Sequence, residues 1–351
     1  MEILLNHSKK GISSLFVLLF IFSILILALP GSVKAAENRH QFVADVNNDT
    51  YGDAITFDSG TGDWWVAPAP GNGDPLFTAP SRWIHGFGVG STRQFLADVT
   101  GDGRADAITF DAGSGDWWVA PAAITNDTFA APSRWTSGHG VGSTNQMLGD
   151  INGDGMADAV VFFSNGSWWA TKSNGTIFTA ATQWFSAGFG VGSTRQFIGD
   201  VTADGKADAV VWNSTSADWW FAGSNGTAFV FGPNRWAAGV GLGSSDQYLA
   251  DVTFDGRDDI VMSFPGSSSR YGGYWWVGIS NGSGFNTATM WHSGFGHGVA
   301  AAIPGDVFAD FEVDMVTYDG INGDWWVMQS TGSAFTSSSS SRWIHGFGVG
   351  T

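Results

Sequence analysis

The stretch Asp98-Val-Thr-Gly-Asp-Gly-Arg-Ala-Asp106 decides how the chain is organised, because related stretches recur along its length. The first aspartates of the copies are Asp45, Asp98, Asp150, Asp200, Asp251 and Asp306. They are separated by 53, 52, 50, 51 and 55 residues. A fixed period of this size is typical of repeat architectures, in which each copy builds one supersecondary unit. The sequence therefore predicts six units, starting near residues 41, 94, 146, 196, 247 and 302.

Each unit contains four short β-rich stretches bounded by Gly, Asp, Asn or Pro. In the second unit these are residues 94–99, 106–111, 116–121 and roughly 129–135, and none has a helical period. Four strands in about 50 residues are typical of one propeller blade. We therefore expect an all-β fold, a β-propeller of six four-stranded blades. Two arrangements remain open: six blades that close with the amino-terminal strand completing the last one, or a seven-bladed type that lacks one unit.

The repeated loop has the oxygen donors of a calcium site. In the second copy Asp98, Thr100, Asp102 and Asp106 occupy positions 1, 3, 5 and 9, and position 7 can offer its backbone carbonyl. Three carboxylates among all-oxygen donors suit a hard cation such as Ca²⁺. Gly103 at position 6 permits the sharp turn that brings both ends of the loop together. Because the flanking residues are β-rich, we expect a strand–loop–strand site rather than an EF-hand.

The six copies differ in how complete they are. The predicted metal ligands are Asp45, Asn47, Asp49, Asp53, Asp98, Thr100, Asp102, Asp106, Asp150, Asn152, Asp154, Asp158, Asp200, Thr202, Asp204, Asp208, Asp251, Thr253, Asp255, Asp259, Asp306, Asp310 and Asp314. In the last copy Phe308 replaces the ligand at position 3 and Phe311 replaces the turn glycine. We therefore expect the last loop to bind calcium weakly or not at all.

Composition restricts the possible partners. The formal net charge is −17, from 32 acidic and 15 basic residues, and 18 of the acidic residues are the repeated loop aspartates. With no basic stripe to neutralise phosphates, the sequence argues against nucleic acid as a partner. Cysteine is absent, so no disulfide can hold the loops. Bound Ca²⁺ would stabilise them instead.

Residues 1–35 have the pattern of a secretory signal peptide. Lys9 and Lys10 precede an apolar stretch at 15–29, and Val33 and Ala35 place small residues before the expected cleavage point. The alternative is an uncleaved membrane anchor, since residues 12–29 are nearly long enough to span a bilayer. Pro30 and the small residues favour cleavage. The sequence predicts a secreted protein without a membrane span after cleavage, whose residues 36–351 form a single propeller domain.

Tryptophan recurs in two patterns. Tandem pairs occur at Trp64-Trp65, Trp117-Trp118, Trp168-Trp169, Trp219-Trp220, Trp275-Trp276 and Trp325-Trp326, where we expect core packing between blades. A single tryptophan follows later in each unit, often after arginine, and is either a ligand platform or a plug at the blade edge. The candidate ligand-binding residues are Arg82, Trp83, His85, Arg134, Trp135, Trp184, Arg235, Trp236, Trp291, Arg342, Trp343 and His345.

The repeated stretch resembles the FG-GAP (VCBS-type) repeat. Phe87-Gly88 with Gly90, followed by the loop from Asp98 to Asp106 and an apolar strand, carries the similarity. That repeat builds the calcium-bearing propeller of integrin α subunits. The Gly-Asp-Trp-Trp and Arg-Trp-x-x-Gly-Phe-Gly elements look closer to the Psathyrella velutina-type lectin family. The resemblance covers the chain from Gln41 onward, and it implies calcium loops and sugar pockets between neighbouring blades.

Three classes of function follow from these patterns. A secreted, calcium-binding lectin would bind glycans or glycoproteins at repeated inter-blade sites, with avidity from their number. An integrin-like adhesion module would bind proteins instead. An enzyme is the least favoured, because the sequence has no Gly-x-Ser-x-Gly elbow and its histidines accompany repeated turns rather than one unique nucleophile. The sequence favours the non-catalytic lectin.

Overall fold

The computed structural model describes residues 39–71, 76–123, 125–186, 188–230, 234–264, 273–295, 301–336 and 342–349. These segments contain 25 β-strands and no helix. The predicted signal peptide at 1–35 and the start of the predicted domain at 36 lie outside them. Within the described segments, nothing has the helical length and apolar character that a bilayer crossing requires.

Each of the first three blades is a four-stranded antiparallel sheet made from one sequence repeat. The second strand of each blade is an apolar run that is buried on both faces, because neighbouring blades cover it on either side. Blade 1 contains β1 (Arg39–Ala44), β2 (Asp53–Asp58), β3 (Asp63–Ala67) and β4 (Ser81–Ile84). Blade 2 contains β5 (Arg93–Ala97), β6 (Asp106–Asp111), β7 (Asp116–Ala120) and β8 (Ser133–Thr136). Blade 3 contains β9 (Asn145–Gly149), β10 (Asp158–Phe162), β11 (Trp168–Thr171) and β12 (Thr182–Phe185).

The remaining three blades repeat this order, and the sixth has one additional short strand. Blade 4 contains β13 (Arg195–Gly199), β14 (Asp208–Asn213), β15 (Asp218–Ala222) and β16 (Asn234–Ala237). Blade 5 contains β17 (Asp246–Ala250), β18 (Asp259–Phe264), β19 (Tyr274–Gly278) and β20 (Thr289–Ser293). Blade 6 contains β21 (Ala301–Gly305), β22 (Asp314–Asp319), β23 (Asp324–Ser330), β24 (Phe335–Thr336) and β25 (Arg342–Ile344). The predicted propeller of six four-stranded blades is confirmed.

The fourth strand of blade 2 starts later than the sequence predicts. In blade 2 the expected stretch of roughly 129–135 is replaced by Ser133–Thr136. Phe129 forms only an isolated bridge with Ala122. Pro132 has no amide hydrogen to donate, so regular pairing with β7 begins after it.

Backbone hydrogen bonds between consecutive repeated loops close the ring. In each case the backbone carbonyl of the first loop aspartate accepts a hydrogen bond from the backbone amide at position 8 of the loop in the next blade, at 2.6–2.9 Å. The six donor–acceptor pairs are Ala105–Asp45, Ala157–Asp98, Ala207–Asp150, Asp258–Asp200, Val313–Asp251 and Gly52–Asp306. The last pair joins blade 1 to blade 6, so six blades complete the circle.

The ring closes without an exchange of strands. Strand β1 pairs with β2 inside blade 1, and β25 supplies the outer strand of blade 6. The expectation that the amino-terminal strand completes the last blade is therefore wrong. Blade 6 instead packs directly on blade 1, where Trp343 meets Phe77 with ring centroids 5.1 Å apart. The seven-bladed alternative is not needed either, because no gap separates these two blades.

The propeller has two faces with different loops. The loop face carries the repeated aspartate loops and the β3–β4 type connections; for example, Ser173 Oγ of blade 3 donates to the carbonyl of Val99 in blade 2. The turn face carries the β2–β3 type turns and the loops that lead to the next blade. On this face the amide of Phe87 donates to the carbonyl of Gly62 at 3.0 Å.

Candidate functional site

The repeated aspartate loops are organised around the side chain at position 1. In blade 2, Asp98 Oδ1 accepts the amide of Gly101 at 2.6 Å, and its Oδ2 accepts the amide of Gly103 at 2.8 Å. Gly103 has a φ of +82°, a conformation that glycine adopts without strain. The carboxylate of Asp98 therefore lies at the centre of a tight loop.

Position 9 of each loop is a buried aspartate that joins the loop to the blade. Asp106 Oδ2 accepts the amide of Val99 at 3.1 Å, and its Oδ1 accepts the amide of Ala122 at 2.9 Å. Burial, together with the smaller effect of the charges of Asp102 and Asp98, raises the pKa of Asp106 to about 7. A divalent cation at this position would offset both effects, because it favours the ionised carboxyl.

The other copies share this arrangement. The position-9 residues Asp53, Asp158, Asp208, Asp259 and Asp314 are also almost fully buried. Burial raises the pKa of each of these carboxyls to between about 7 and about 8. The donors are all oxygen atoms, so the loops fit a hard cation such as calcium.

The sixth loop differs from the others in the placement of its carboxylates. Asp306, Asp310 and Asp314 bring one carboxylate oxygen each to within 4.8 Å of one another, and no other set of three among the described residues does so. In blades 2, 4 and 5 the position-5 aspartate pairs with a basic residue at position 7, as Asp102 does with Arg104. The sixth loop still lacks a ligand at position 3, so its weak calcium binding stays a prediction.

The predicted single tryptophans do not form exposed platforms. Trp83, Trp135, Trp184, Trp291 and Trp343 are buried, and Trp236 is half-buried. Each ring packs on a phenylalanine of the next blade, with centroids 5.1–5.4 Å apart. This is the edge-plug arrangement left open by the sequence, and the structure corrects the assignment of these rings as ligand platforms.

The two members of each tandem pair have different environments. The first tryptophan is fully buried in every blade, and its indole nitrogen donates to the loop on the turn face, as Trp117 Nε1 does to the carbonyl of His139. The second tryptophan points to the opposite side of the strand. Trp118 and Trp220 are 39% and 36% exposed. The expectation of core packing therefore holds fully for the first member, whereas among the second members Trp65, Trp169, Trp276 and Trp326 are half-buried against the inter-blade apolar clusters and Trp118 and Trp220 are exposed.

The exposed ring lies beside an arginine and an aspartate. The second tryptophan pairs across the strand with arginine, as Trp118 does with Arg134, and the aspartate two residues before the ring points to the same side. Arg134 Nη1 is 3.4 Å from Asp116 Oδ2. We call such a set an Asp–Trp–Arg cluster. The four clusters are Asp63–Trp65–Arg82, Asp116–Trp118–Arg134, Asp218–Trp220–Arg235 and Asp324–Trp326–Arg342.

Two clusters include a histidine. His85 Nδ1 is 2.5 Å from Asp63 Oδ1, and His345 makes the same contact with Asp324. Burial alone would raise the pKa of Asp63, but the hydrogen bond from His85 and the charge of Arg82 hold it below its usual range. Asp63 is therefore ionised at neutral pH and can accept hydrogen bonds from a ligand.

Blades 3 and 5 lack the cluster. Gln183 and Met290 replace the arginine, and Ser167 and Tyr274 replace the aspartate. The two charged residues are therefore present together or absent together in all six repeats. The candidate ligand-binding residues predicted from the sequence did not include these aspartates or the second tryptophans. The joint presence of aspartate and arginine in four of the six repeats was a signal that could have identified them.

Pockets open between blades next to the second tryptophan. The blade 2–3 pocket, of about 350 Å³, is lined by Ser137 and Val141 of one blade and by Phe163 and Trp169 of the next. The blade 3–4 pocket, of about 330 Å³, is lined by Phe189, Val191 and Ser193 and by Val211, Asn213 and Trp220. Both pockets are on the turn face, and each has an aromatic wall large enough for one sugar ring to stack on.

Residues 150–211 match the family model of the FG-GAP-like repeat. The chain contains an FG-GAP-like repeat. The matched segment runs from the third aspartate loop into β14 and includes the Gly-Phe-Gly turn at 188–190. A search of curated protein sequences finds no match to this chain.

Solved structures show the same fold. A lectin from Agrocybe aegerita, described as specifically recognising non-reducing terminal N-acetylglucosamine, is 22% identical, with a TM-score of 0.60 over 88% of this chain and 81% of that one. A Trichoderma reesei protein of carbohydrate-active enzyme family AA12 is 11% identical, with a TM-score of 0.33 over 87% and 95% of the two chains. At these identities the similarity to the lectin concerns the propeller fold, and the second similarity is too low to support any functional argument.

Proposed function

We propose that this protein is a secreted, calcium-stabilised lectin-like propeller that binds glycans without catalysis at its Asp–Trp–Arg clusters. The observation that carries the proposal is the second tryptophan, exposed at Trp118 and Trp220 and half-buried at Trp65 and Trp326, placed directly across the strand from an arginine that is paired with an aspartate. The ring offers a face for the apolar side of a sugar. The two charged groups supply a hydrogen-bond donor and an acceptor for its hydroxyl groups.

The repetition of the cluster supports binding rather than catalysis. A catalytic site is usually single, whereas this cluster recurs in four blades on one face of the ring. Several weak sites that face one glycan-covered surface give avidity that no single site has. The lectin-like fold is consistent with this function, and the signal-like residues 1–35 support secretion.

The calcium part of the proposal rests on the loop oxygens. Asp98, Asp102 and Asp106 would hold the ion in blade 2, and their equivalents would do so in the other blades. The cation would reduce the repulsion among three carboxylates and join the loop to the blade. It would therefore act on stability rather than on the chemistry of a bound sugar.

A glycan array in calcium-containing buffer tests the proposal, followed by calorimetric titration with the sugar that binds. N-Acetylglucosamine is the first sugar to test, because the Agrocybe lectin recognises it. We expect millimolar to micromolar binding at several sites per chain, as for shallow aromatic sites of this kind. Absence of binding to every glycan on the array would contradict the proposal. Capture of matrix proteins that persists after their deglycosylation would favour the adhesion module instead.

A further inference from the structure

Three tight turns on the loop face share one sequence pattern. They lie in the β3–β4 type connections of blades 3, 4 and 5, at Asn174-Gly-Thr176, Asn225-Gly-Thr227 and Asn281-Gly-Ser283. A buried serine precedes each asparagine and donates to a backbone carbonyl of the preceding blade, at 2.6–2.7 Å. Asparagine, any residue but proline, and then serine or threonine is the acceptor pattern of N-linked glycosylation, which occurs on surface loops of secreted proteins.

In each turn the asparagine uses its side-chain oxygen and leaves its nitrogen accessible. Asn174 Oδ1 accepts the hydroxyl of Thr176 at 2.9 Å and the backbone amide of Ile177 at 3.0 Å. Asn225 and Asn281 accept the equivalent hydroxyls at 2.8 Å. Among the described residues, Nδ2 of Asn174 and of Asn225 donates no hydrogen bond, and Nδ2 of Asn281 donates one of its two hydrogens. All three asparagines and their hydroxyl residues are exposed, so each turn presents both groups to solvent together.

Two other asparagines of this pattern have surroundings that do not suit a glycan. Ser167, the hydroxyl residue that follows Asn165, is only 4% exposed. Nδ2 of Asn213 donates to the carbonyl of Gly192 at 3.0 Å, and Asn213 lines the blade 3–4 pocket. A glycan on Asn213 would therefore break this hydrogen bond and fill the pocket.

Asn48 and Asn126 also begin the pattern but do not form this turn. Both have a positive φ, of 63° and 85°. Thr128, two residues after Asn126, donates its hydroxyl to the carbonyl of Phe129 at 3.0 Å rather than to the asparagine. Within the described segments, the hydroxyl contact with both groups exposed is therefore found in the turns of blades 3, 4 and 5 alone.

We propose that Asn174, Asn225 and Asn281 are acceptor sites for N-linked glycosylation. In the transfer, Nδ2 forms a bond to the anomeric carbon of a lipid-linked oligosaccharide. The bond from that carbon to the lipid pyrophosphate breaks, the pyrophosphate leaves with the electron pair, and the amide proton passes to a base of the transferase. The inference rests on the secretion part of the proposed function, because this donor and its transferase belong to the secretory pathway. The glycans would cover the loop face and leave the Asp–Trp–Arg clusters on the turn face open.

Blade 6 keeps the turn but not the asparagine. Thr331 occupies the equivalent position, and its amide donates to the carbonyl of Ala334 at 3.0 Å, as that of Asn225 does to Ala228. Ser333 supplies the hydroxyl residue and is exposed. The variant Thr331→Asn should therefore create a fourth acceptor site.

Expression of the full chain in a eukaryotic secretory host tests the inference. The secreted protein is treated with peptide-N-glycosidase in heavy-oxygen water, and labelled aspartate is located by peptide mass spectrometry. The same treatment without the glycosidase is the control, because asparagine before glycine also converts to aspartate spontaneously. We expect label at Asn174, Asn225 and Asn281 and at none of the other four asparagines described above.

Single variants separate the hydroxyl group from the turn. Thr176→Ala should abolish the label at Asn174 and leave the other two sites labelled, because the asparagine and its backbone contacts remain. Thr176→Ser, which copies the hydroxyl residue of blade 5, should retain the label, and Thr331→Asn should add a fourth. Thermal melting verifies the fold of each variant.

Secreted protein without label at the three turns would overturn the inference and leave the proposed secretion standing. Label confined to the other four asparagines would overturn it as well, because the turn would then not select the site. A chain retained in the cytosol without glycan would contradict both the secretion and the acceptor sites.

Discussion

Trp117 and Trp118 are adjacent in the sequence but lie on opposite sides of strand β7. Trp117 is fully buried and hydrogen-bonded to the loop on the turn face, whereas Trp118 is 39% exposed beside Arg134. The alternation of a β-strand puts consecutive side chains on opposite faces. One face of the strand is sealed against the neighbouring blade at this level, whereas the other leaves Trp118 partly accessible to solvent, so the two rings have different environments.

We predict opposite effects for alanine at these two positions. Trp117→Ala should lower the free energy of unfolding by about 3–5 kcal/mol, because it leaves a cavity in the core. Trp118→Ala should lower it by less than about 1 kcal/mol and should remove one glycan site. Denaturant unfolding and calorimetric titration measure the two quantities. A stable Trp117→Ala protein that has lost binding would reverse the assignment.

His139 makes blade 2 sensitive to acid. Its Nε2 donates to the carbonyl of Ala159 at 3.1 Å, and burial lowers its pKa from 6.5 to about 4. Because the folded protein takes up this proton less readily, the stability that neutral His139 contributes is present above about pH 6.5 and is lost as the pH falls toward 4.

We predict that His139→Phe reduces this acid sensitivity. Phenylalanine occupies the equivalent position at Phe87, Phe189 and Phe347, so the loop accepts the ring. The melting temperature of the variant should fall less between pH 7 and pH 5 than that of the wild type. Parallel melting curves at the two pH values make the comparison. An identical fall in both proteins would show that His139 does not control the acid response.

The sequence could predict the arginines of the clusters but not their partners. Arg134 was identified because it precedes a repeated tryptophan, and the structure confirms that it lies exposed at the surface. The ring beside it was misassigned to Trp135, because periodicity alone does not show which of several tryptophans the neighbouring blade covers. The burial of each tryptophan depends on how neighbouring blades pack, and the sequence of a single repeat does not specify that packing.

At the scale of one element, the aspartate loop combines a tight turn with a buried carboxyl. Asp106 connects β5–β6 to the outer part of the blade by accepting the amides of Val99 and Ala122. The spacing of glycine and acidic residues predicted a tight loop between two strands, and the structure has one here because the turn is local; its calcium binding stays a prediction. The start of the fourth strand was less predictable, because pairing beyond Pro132 depends on the partner strand β7.

We predict that removal of calcium lowers the melting temperature. A ligand that binds only the folded loops stabilises the protein by mass action, so excess EDTA should shift the transition downward. Elemental analysis verifies that the metal has been removed, and restored calcium should restore the transition. An unchanged melting temperature in the metal-free protein would exclude a structural role for the ion.

We also predict that the metal-free protein becomes less stable as the pH rises. Burial raises the pKa of Asp53 and Asp314 to about 8, and that of Asp106 to about 7, from 3.8. The stability contributed by these protonated carboxyls is present below pH 3.8 and is lost as the pH rises through 7 to 8. Melting temperatures in EDTA should therefore decrease from pH 5 to pH 8. Excess calcium should reduce that decrease, and equal slopes with and without calcium would contradict the assignment.

At the scale of the whole molecule, the ring closes by contact between complete blades. The amide of Gly52 donates to the carbonyl of Asp306, and Trp343 packs on Phe77, just as equivalent residues do between every other pair of blades. The period of the sequence predicted six units, because each repeat forms one blade. It could not predict the mode of closure, since one repeat carries no information about the angle between blades.

The arrangement of the sites also follows from the ring. All four Asp–Trp–Arg clusters occupy equivalent positions in their blades and open toward the turn face, while the aspartate loops occupy the loop face. The proposed glycan sites and the proposed calcium loops therefore lie on opposite faces of the ring. Changes in the clusters should leave the stabilising loops intact, which makes the two parts of the proposal separately testable.

A crystal structure of the protein soaked with the best-binding monosaccharide from the array tests the central claim most directly. We expect sugar density against the second tryptophan of each cluster, at Trp65, Trp118, Trp220 and Trp326, with hydrogen bonds to the adjacent arginine and aspartate. We expect none between Tyr274 and Met290. Sugar bound away from these four rings, or between Tyr274 and Met290 with the four clusters empty, would contradict the account.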